Sequence, residues 1–136
     1  NLIQQIIDDI RAIKELVKLD KVEFVELIVA DSWKYEFYQK LKEQTARTRV
    51  TADILKAIMQ TDLKKYGGEI TRLIPKLIDK LPEIVLEQES EFEILKDAHK
   101  FLEAEFECTI KITRAEESKE TKAKQALPGK PAILLK

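Results

Sequence analysis

The segment spanning residues 22–30 constrains the fold more than any other part of this sequence. It is β-branched and aromatic, with apolar side chains at both odd and even positions, which is typical of a strand buried on both faces. The other strand-forming segments lie far along the chain. Residues 107–114 alternate between apolar and polar with period two, and residues 132–135 form a short apolar run. The sequence therefore predicts a small sheet of two or three strands in which sequence-distant strands are neighbours.

Apolar residues at helical spacing fill most of the remaining chain. Residues 1–19 predict an amphipathic helix, and Trp33, Phe37 and Leu41 predict a second helix whose stripe belongs to the core. Further helices are expected at residues 51–63, 70–81 and 92–106. The predicted order is α-β-α-α-α-α-β followed by a tail strand. This is an α/β (α+β) fold, with about four helices covering the sheet and one amphipathic linking helix before it.

Residue types with strong local preferences predict where these helices begin and end. Thr51 is expected to cap its helix, and Gly67-Gly68 to stop that helix. Pro75 should kink the following helix or mark its first turn, and Pro82 should end it. Ser90 and Glu93 have the spacing of a capping box, which would place the start of the last helix at Ser90.

The composition favours no catalytic or metal chemistry, and it contains no membrane segment. One His and one Cys, nine positions apart, make neither a nucleophile with its base nor a metal cluster, and three glycines are too few for a phosphate-cradling loop. His99 falls on an apolar helical stripe and is expected to be structural. The lone Cys108 fits a reducing compartment, and no apolar run approaches ~18 residues. We therefore expect no catalytic residue, no metal site and no cofactor in this chain.

Charge is distributed unevenly along the chain, although the net charge is only −1. Residues 83–107 contain nine acidic residues and two lysines, so the remaining residues carry a net charge of +6. This asymmetry is compatible with a local surface that faces phosphates. Arg47 and Arg49 lie in a loop with threonines, and Lys34 lies in the first turn of its helix. Each of these positions is a candidate phosphate contact.

The last residues combine a lysine-bearing loop with an apolar end. If residues 132–135 pair as a strand, Lys119, Lys122, Lys124 and Lys130 belong to a basic loop that is held at both ends. Such a loop can present cations to a phosphate backbone. The residues alone leave open a solvated linker with an incidental apolar end.

Two motifs resemble archaeal-type leucyl-tRNA synthetases. The tail matches the pattern Ala-x-Pro-x-Lys-Pro-Ala-Ile with which those chains close, here at Ala126, Pro128, Lys130, Pro131, Ala132 and Ile133. Residues 25–34, with an Ala-Asp-x-Trp-Lys step, resemble the strand-to-helix junction that opens their C-terminal domain. The order and spacing of the two motifs also match, from about Val22 onward. The catalytic signatures, His-Ile-Gly-His-like and Lys-Met-Ser-Lys-Ser-like, are absent from the sequence.

The resemblance implies a non-catalytic domain that binds tRNA(Leu) at its long variable arm and outer corner. Residues 1–19 would then link it to a helical anticodon-binding bundle, and residues 20–136 would be the tRNA-binding domain. The expected partners are tRNA(Leu) and the catalytic body of the same chain, which would use ATP and Mg outside this fragment. We expect a cytoplasmic monomer. The resemblance extends RNA contact to Lys130, Ile133 and Lys136, and charge adds the remaining candidates, Lys34, Arg47, Arg49, Lys119, Lys122 and Lys124.

A helical protein-interaction module is the alternative. It would dock a partner through the acidic face or through the apolar stripe of the first helix. Phosphate binding weakens as salt rises, with a slope of about −0.7 to −0.9 per phosphate, whereas apolar docking is nearly insensitive to salt.

Overall fold

The computed structural model describes residues 2–16, 22–81 and 86–135, and this part of the chain forms two compact units. The sheet unit comprises residues 1–31 and 86–136, and the helical unit comprises residues 32–85. The regular elements are α1 (Leu2–Leu16), β1 (Phe24–Val29), α2 (Ser32–Thr45), α3 (Thr51–Met59), α4 (Gly67–Leu77), α5 (Gln88–Asp97), α6 (His99–Phe106), β2 (Thr109–Arg114) and β3 (Ala132–Leu135). Short 3-10 helices span Asp62–Tyr66, Ala115–Glu117 and Thr121–Gln125.

The sheet unit is built on a three-stranded mixed sheet in the order β2-β1-β3. β1 pairs in parallel with β2, with Val25 opposite Ile110, and antiparallel with β3, with Leu27 opposite Ile133. Five of the six β1 residues are buried, as expected for a strand with a neighbour on each side. The α+β class, the central position of β1 and the tail strand are therefore confirmed.

Helices α1, α5 and α6 complete the sheet unit. α1 buries Ile6, Ile7 and Ile10, which belong to the apolar stripe predicted from the sequence. Arg11 of α1 forms an ion pair with Glu105 of α6 at 2.6 Å. α5 and α6 both contact β2, and they bury Leu95 and Leu102 respectively.

The helical unit has its own core around the aromatic side chains of α2. Trp33, Phe37 and Leu41 are buried, as the sequence predicted. The Trp33 ring stacks on Tyr66, with 4.3 Å between centroids and 8° between the planes. α3 and α4 contribute Ile54, Ile58, Ile70 and Ile74 to the buried set.

The predicted role of Gly67-Gly68 is wrong. α3 ends at Met59, the 3-10 helix Asp62–Tyr66 follows, and the glycines begin α4. Thr61 makes this break because its hydroxyl accepts a hydrogen bond from Leu63 N at 3.2 Å. Gly67 suits a close approach instead, since a Cβ there would lie 3.3 Å from Met59 Sδ.

The predicted caps at Thr51 and Ser90 are also wrong. α3 has Val50 at its N-cap without a side-chain cap, and α5 begins at Gln88 with Glu87 as its N-cap. Gln88 Nε2 donates to Ala30 O at 2.9 Å and to Glu116 Oε1 at 2.7 Å, which anchors the helix start upstream of Ser90. The helix predicted at residues 92–106 is divided at Ala98 into α5 and α6.

Proline and chain-end predictions have mixed outcomes. Pro75 lies inside α4, close to the end of that helix at Leu77, and not in its first turn. Pro82 and the end of the helix predicted at residues 1–19 lie outside the described residues. Within the described residues, no helix is long and apolar enough to cross a membrane.

Two glycines give opposite expectations for the same substitution. Gly129 has φ of 78°, so Gly129→Ala should destabilise the protein by roughly 1–2 kcal/mol although no atom would clash. Gly68 lies in helix α4 with open space around it, so Gly68→Ala should stabilise by about 0.5–1 kcal/mol. Urea denaturation of both variants measures the difference. Equal effects of the two substitutions would contradict the assigned backbone conformations.

Candidate nucleic-acid interface

The tail is tied to the rest of the sheet unit at its root. Arg114, the last residue of β2, binds both carboxylate oxygens of Glu89 at 2.7 and 2.9 Å and reaches Glu117 at 3.3 Å. Its guanidinium also lies 4.0 Å from the centroid of the Phe92 ring. The hydrogen bond to Glu89 is the main cause that raises the pKa of Arg114. This cation is therefore engaged within the protein and fixes where the tail begins.

A second tie closes the tail on itself. Lys122 Nζ donates to the carbonyl oxygen of Ile133 at 2.6 Å, which joins the 3-10 helix Thr121–Gln125 to strand β3. Because β3 is an edge strand, a side-chain donor on its backbone carbonyl satisfies a group that the sheet leaves unpaired. The predicted basic segment is thus held by a strand at its end, and Lys122 contributes to this anchoring.

Within the segment that the second tie closes, a tight turn at residues 127–130 presents Lys130. Leu127 and Lys130 exchange two backbone hydrogen bonds, at 3.0 and 2.8 Å. Pro128 and Gly129 occupy the central positions, and φ of 78° at Gly129 is the value that a type II turn requires. The side chain of Lys130, the last residue of this turn, is exposed. Lys119 and Lys124 are exposed earlier in the tail.

A groove of about 300 Å³ runs between α1 and the tail. Its tail side carries Lys122 and Lys130 with Gln125, and its α1 side carries Asp9 and Ile13. The groove thus offers two cations and an amide, with one carboxylate facing them. Cations and amides of this kind bind phosphate oxygens, and the opposing carboxylate limits how much negative charge fits.

Among the candidates that the structure describes, Ile133 and Lys34 have buried side chains. Ile133 is 4% exposed and belongs to the core beneath β3. Lys34 is also 4% exposed, and its ammonium lies 5.7 Å from the centroid of the Trp33 ring. Burial leaves both side chains poorly placed to contact RNA. Lys136 lies outside the described residues.

Arg47 and Arg49 belong to the helical unit, and Arg49 contacts the end of α4. Arg49 Nη1 donates to Ile78 O at 3.0 Å and lies 3.6 Å from Asp79 Oδ1, while its side chain stays 67% exposed. Carbonyl oxygens at a helix C-terminus attract cations, which explains this position. Arg47 is exposed two residues earlier.

Sequence reasoning missed three further cations, two on α4 and one beyond its last residue, Leu77. Arg72, Lys76 and Lys80 recur every four residues and are exposed. The helical unit has eleven basic and seven acidic residues, a net charge of +4, whereas the sheet unit has thirteen basic and eighteen acidic residues, a net charge of −5. The i, i+4 spacing of these three residues was the available signal in the sequence. Comparing residues 83–107 with the rest of the chain hid the positive charge of residues 32–85.

His99 and Glu103 of α6 bind the free edge of β2. His99 Nε2 donates to Ile110 O at 2.5 Å, and Glu103 Oε2 accepts from Ile110 N at 3.0 Å. The two side chains thus take the place of a neighbouring strand at Ile110, which is a structural role for the histidine. No group of three or more His, Cys, Asp or Glu side chains in the described ranges could hold a metal ion.

These observations define a small α+β domain whose accessible chemistry is the presentation of cations from an anchored tail and from a helix end. The predicted kinship with archaeal leucyl-tRNA synthetases is confirmed. The chain is 36% identical over 126 residues, 90% of its length, to a leucine–tRNA ligase of Methanocaldococcus jannaschii. It is 35% identical over 134 residues to that of Methanococcus maripaludis and 27% identical over 135 residues to that of Pyrococcus abyssi.

The chain spans about 13% of the length of these curated relatives. No protein-family model matches it. The similarity therefore concerns one segment of a much longer synthetase.

Proposed function

We propose that this chain is the non-catalytic C-terminal domain of a leucyl-tRNA synthetase, which binds tRNA(Leu) and orients it for aminoacylation. Its contacts would be the long variable arm and the outer corner of the tRNA, and the catalytic body of the same chain would be its second partner. Residues 1–19 would link the domain to a helical anticodon-binding bundle. ATP and Mg would act in the catalytic body, outside this fragment.

The anchored tail is the observation that carries this proposal. The type II turn, the Lys122 contact to Ile133 and the Arg114 contacts to Glu89 hold a segment whose Lys119, Lys124 and Lys130 face solvent. Fixing the backbone in advance lowers the entropy cost of binding a phosphate chain. Phosphate contacts of this kind position a nucleic acid without reading its sequence.

A second set of phosphate contacts is proposed on the helical unit. Arg49 contacts the end of α4, and Arg47 lies two residues before it in the chain. Lys76 on α4 and Lys80 beyond its last residue add exposed cations. Since the helical unit carries the excess positive charge, it would contribute to the salt dependence of binding. Lys34 and Ile133 would act only indirectly, because both are buried.

The experiment is a titration of this chain against tRNA(Leu), with and without its variable arm, over a range of salt concentrations. Lys130→Ala should weaken binding to both RNAs and flatten the plot of log affinity against log salt by about 0.7–0.9. Lys100→Ala is the matched control, because Lys100 is an exposed lysine on α6 within the acidic region. An equal change for both variants would reject a specific role for the tail.

One observation supports the alternative function, that of a helical protein-interaction module. Leu16 and Phe101 are large apolar side chains that remain 81% and 57% exposed. Docking through them would give an affinity nearly independent of salt, and no binding to tRNA. A flat salt dependence in the same titration would therefore favour this alternative.

A further inference from the structure

A fully buried carboxyl group lies beneath the tail turn. Glu91 of α5 is 0% exposed, and its Oε1 accepts a hydrogen bond from Gly129 N at 2.7 Å. Its Oε2 is buried without a hydrogen-bond partner among the described residues. Burying an ionised carboxylate costs free energy when one of its two oxygens has no hydrogen-bond donor.

The contact joins two elements with different roles. Glu91 belongs to α5, which packs on β1 and β2. Gly129 is the left-handed residue of the turn at residues 127–130, which presents Lys130 and leads into β3. The contact therefore joins the turn that presents Lys130 to helix α5.

We propose that the Glu91 carboxyl is a proton-controlled clasp on the tail turn, which holds the turn against α5 when protonated and loosens it when ionised. Glu91 is a positioning residue in this proposal, because it acts on the proposed RNA-binding tail through Gly129. When the clasp closes, a proton from solvent binds Oε2 and removes the charge, while Oε1 continues to accept from Gly129 N. When the clasp opens, the proton returns to solvent and water hydrates the carboxylate.

The direction of the effect follows from the titration of the carboxyl group. Burial raises the pKa of Glu91 to about 7, and the hydrogen bond from Gly129 opposes that rise. A group whose pKa is higher in the closed state than in the hydrated, open state binds its proton more tightly when closed. Closure is therefore favoured at low pH and weakens as the pH rises from the ordinary value of 4.5 to about 7, above which it changes no further.

Two charged side chains close to α5 make hydrogen bonds or ion pairs with groups other than Glu91. Arg114 binds Glu89 and Glu117, and Glu103 binds Ile110. Burial and the Gly129 hydrogen bond are the causes that act on Glu91. The titratable and charged groups of the elements packed against α5 and of the turn are Glu26 on β1, Lys111 and Arg114 on β2, His99, Lys100, Glu103 and Glu105 on α6, and Lys130 on the turn.

The first test follows the Glu91 side-chain carboxyl and the Gly129 amide by NMR from pH 5 to pH 9, in this chain without RNA. Both signals should titrate together with a midpoint near 7, and the protection of the Gly129 amide from hydrogen exchange should fall on the order of a hundredfold across the transition. A Gly129 signal and protection that stay constant would overturn the proposal. This measurement needs no variant, so it stands even if a substitution fails to fold.

Two variants distinguish the titration of Glu91 from the titration of other groups in the protein. Glu91→Gln keeps the shape and the acceptor but loses the charge change, so Gly129 should stop responding to pH. Glu93→Gln is the control, because Glu93 is exposed on the same helix, and Gly129 should respond as in the parent. A Gly129 response that survives in Glu91→Gln would assign the titration to another group and reject the clasp.

A third test measures tRNA affinity and therefore rests on the proposed function, but its outcomes distinguish failure of that function from failure of the clasp. The affinity of the parent for tRNA(Leu) should fall several-fold from pH 6 to pH 8, and that of Glu91→Gln should change little. If Gly129 titrates with Glu91 but the chain binds no tRNA, the clasp stands and the proposed function fails. If tRNA binds with the same pH dependence in parent and Glu91→Gln, the clasp does not control RNA binding, and its link to the proposed function is rejected.

Discussion

Replacing Trp33 with alanine should destabilise the helical unit by about 3 to 5 kcal/mol. The ring is buried, stacks on Tyr66 at 4.3 Å and lies 6.2 Å from the Phe37 ring, so its removal would leave a cavity and also end an aromatic stack. Urea denaturation followed by circular dichroism measures the loss. Phe101→Ala is the control, because that exposed ring on α6 should change stability by no more than about 0.5 kcal/mol.

A loss below about 1 kcal/mol for Trp33→Ala would contradict burial of the ring. It would instead favour an accessible Trp33 ring, which could stack on a base of bound RNA.

Ile133→Ala should destabilise the sheet unit by about 2 to 5 kcal/mol, and Ile133→Val by about 0.5 to 1.5 kcal/mol. The side chain is buried and lies opposite Leu27, so it anchors β3 to the central strand. Thermal and urea denaturation of both variants would provide the values. A tail that detaches should also weaken any phosphate contact made by Lys130.

The same pair of variants tests the expectation that Ile133 contacts RNA, which for an apolar side chain means a contact with a base. A base contact would lower tRNA affinity while leaving stability unchanged, whereas a core residue would lower stability in proportion to the volume lost. Unchanged stability with a lost preference for tRNA(Leu) would therefore contradict the buried position of Ile133.

The periodicity of the chain was sufficient to predict the sheet. β1 has apolar residues on both faces, which identified it as central, and the alternation in residues 109–114 identified its neighbour. Helix boundaries were less predictable, because they depend on contacts with distant residues. Gln88 starts α5 early by binding Ala30 and Glu116, and no local pattern contains that information.

The sequence was sufficient to mark the tail as a basic segment, but not to reveal which contacts its cations make within the protein. The spacing of the tail lysines marked a basic segment, yet it could not reveal that Lys122 binds the Ile133 carbonyl or that Arg49 binds the end of α4. Both contacts join residues that are not helical neighbours, 11 and 29 positions apart. Glu91 belongs to the acidic segment of residues 83–107, and the sequence could not reveal its burial beneath the tail turn, because that burial depends on tertiary packing.

The order of the strands in the sheet has a consequence for the time course of folding. Val25 pairs with Ile110 and Leu135, which follow it by 85 and 110 positions. During synthesis, β1 therefore has no strand to pair with until the whole helical unit has been made. The helical unit is contiguous and can form first, whereas the sheet closes through long loops, which slows folding. We expect newly made chains to pass through a state in which the helical unit is formed while the apolar β1 strand is still exposed.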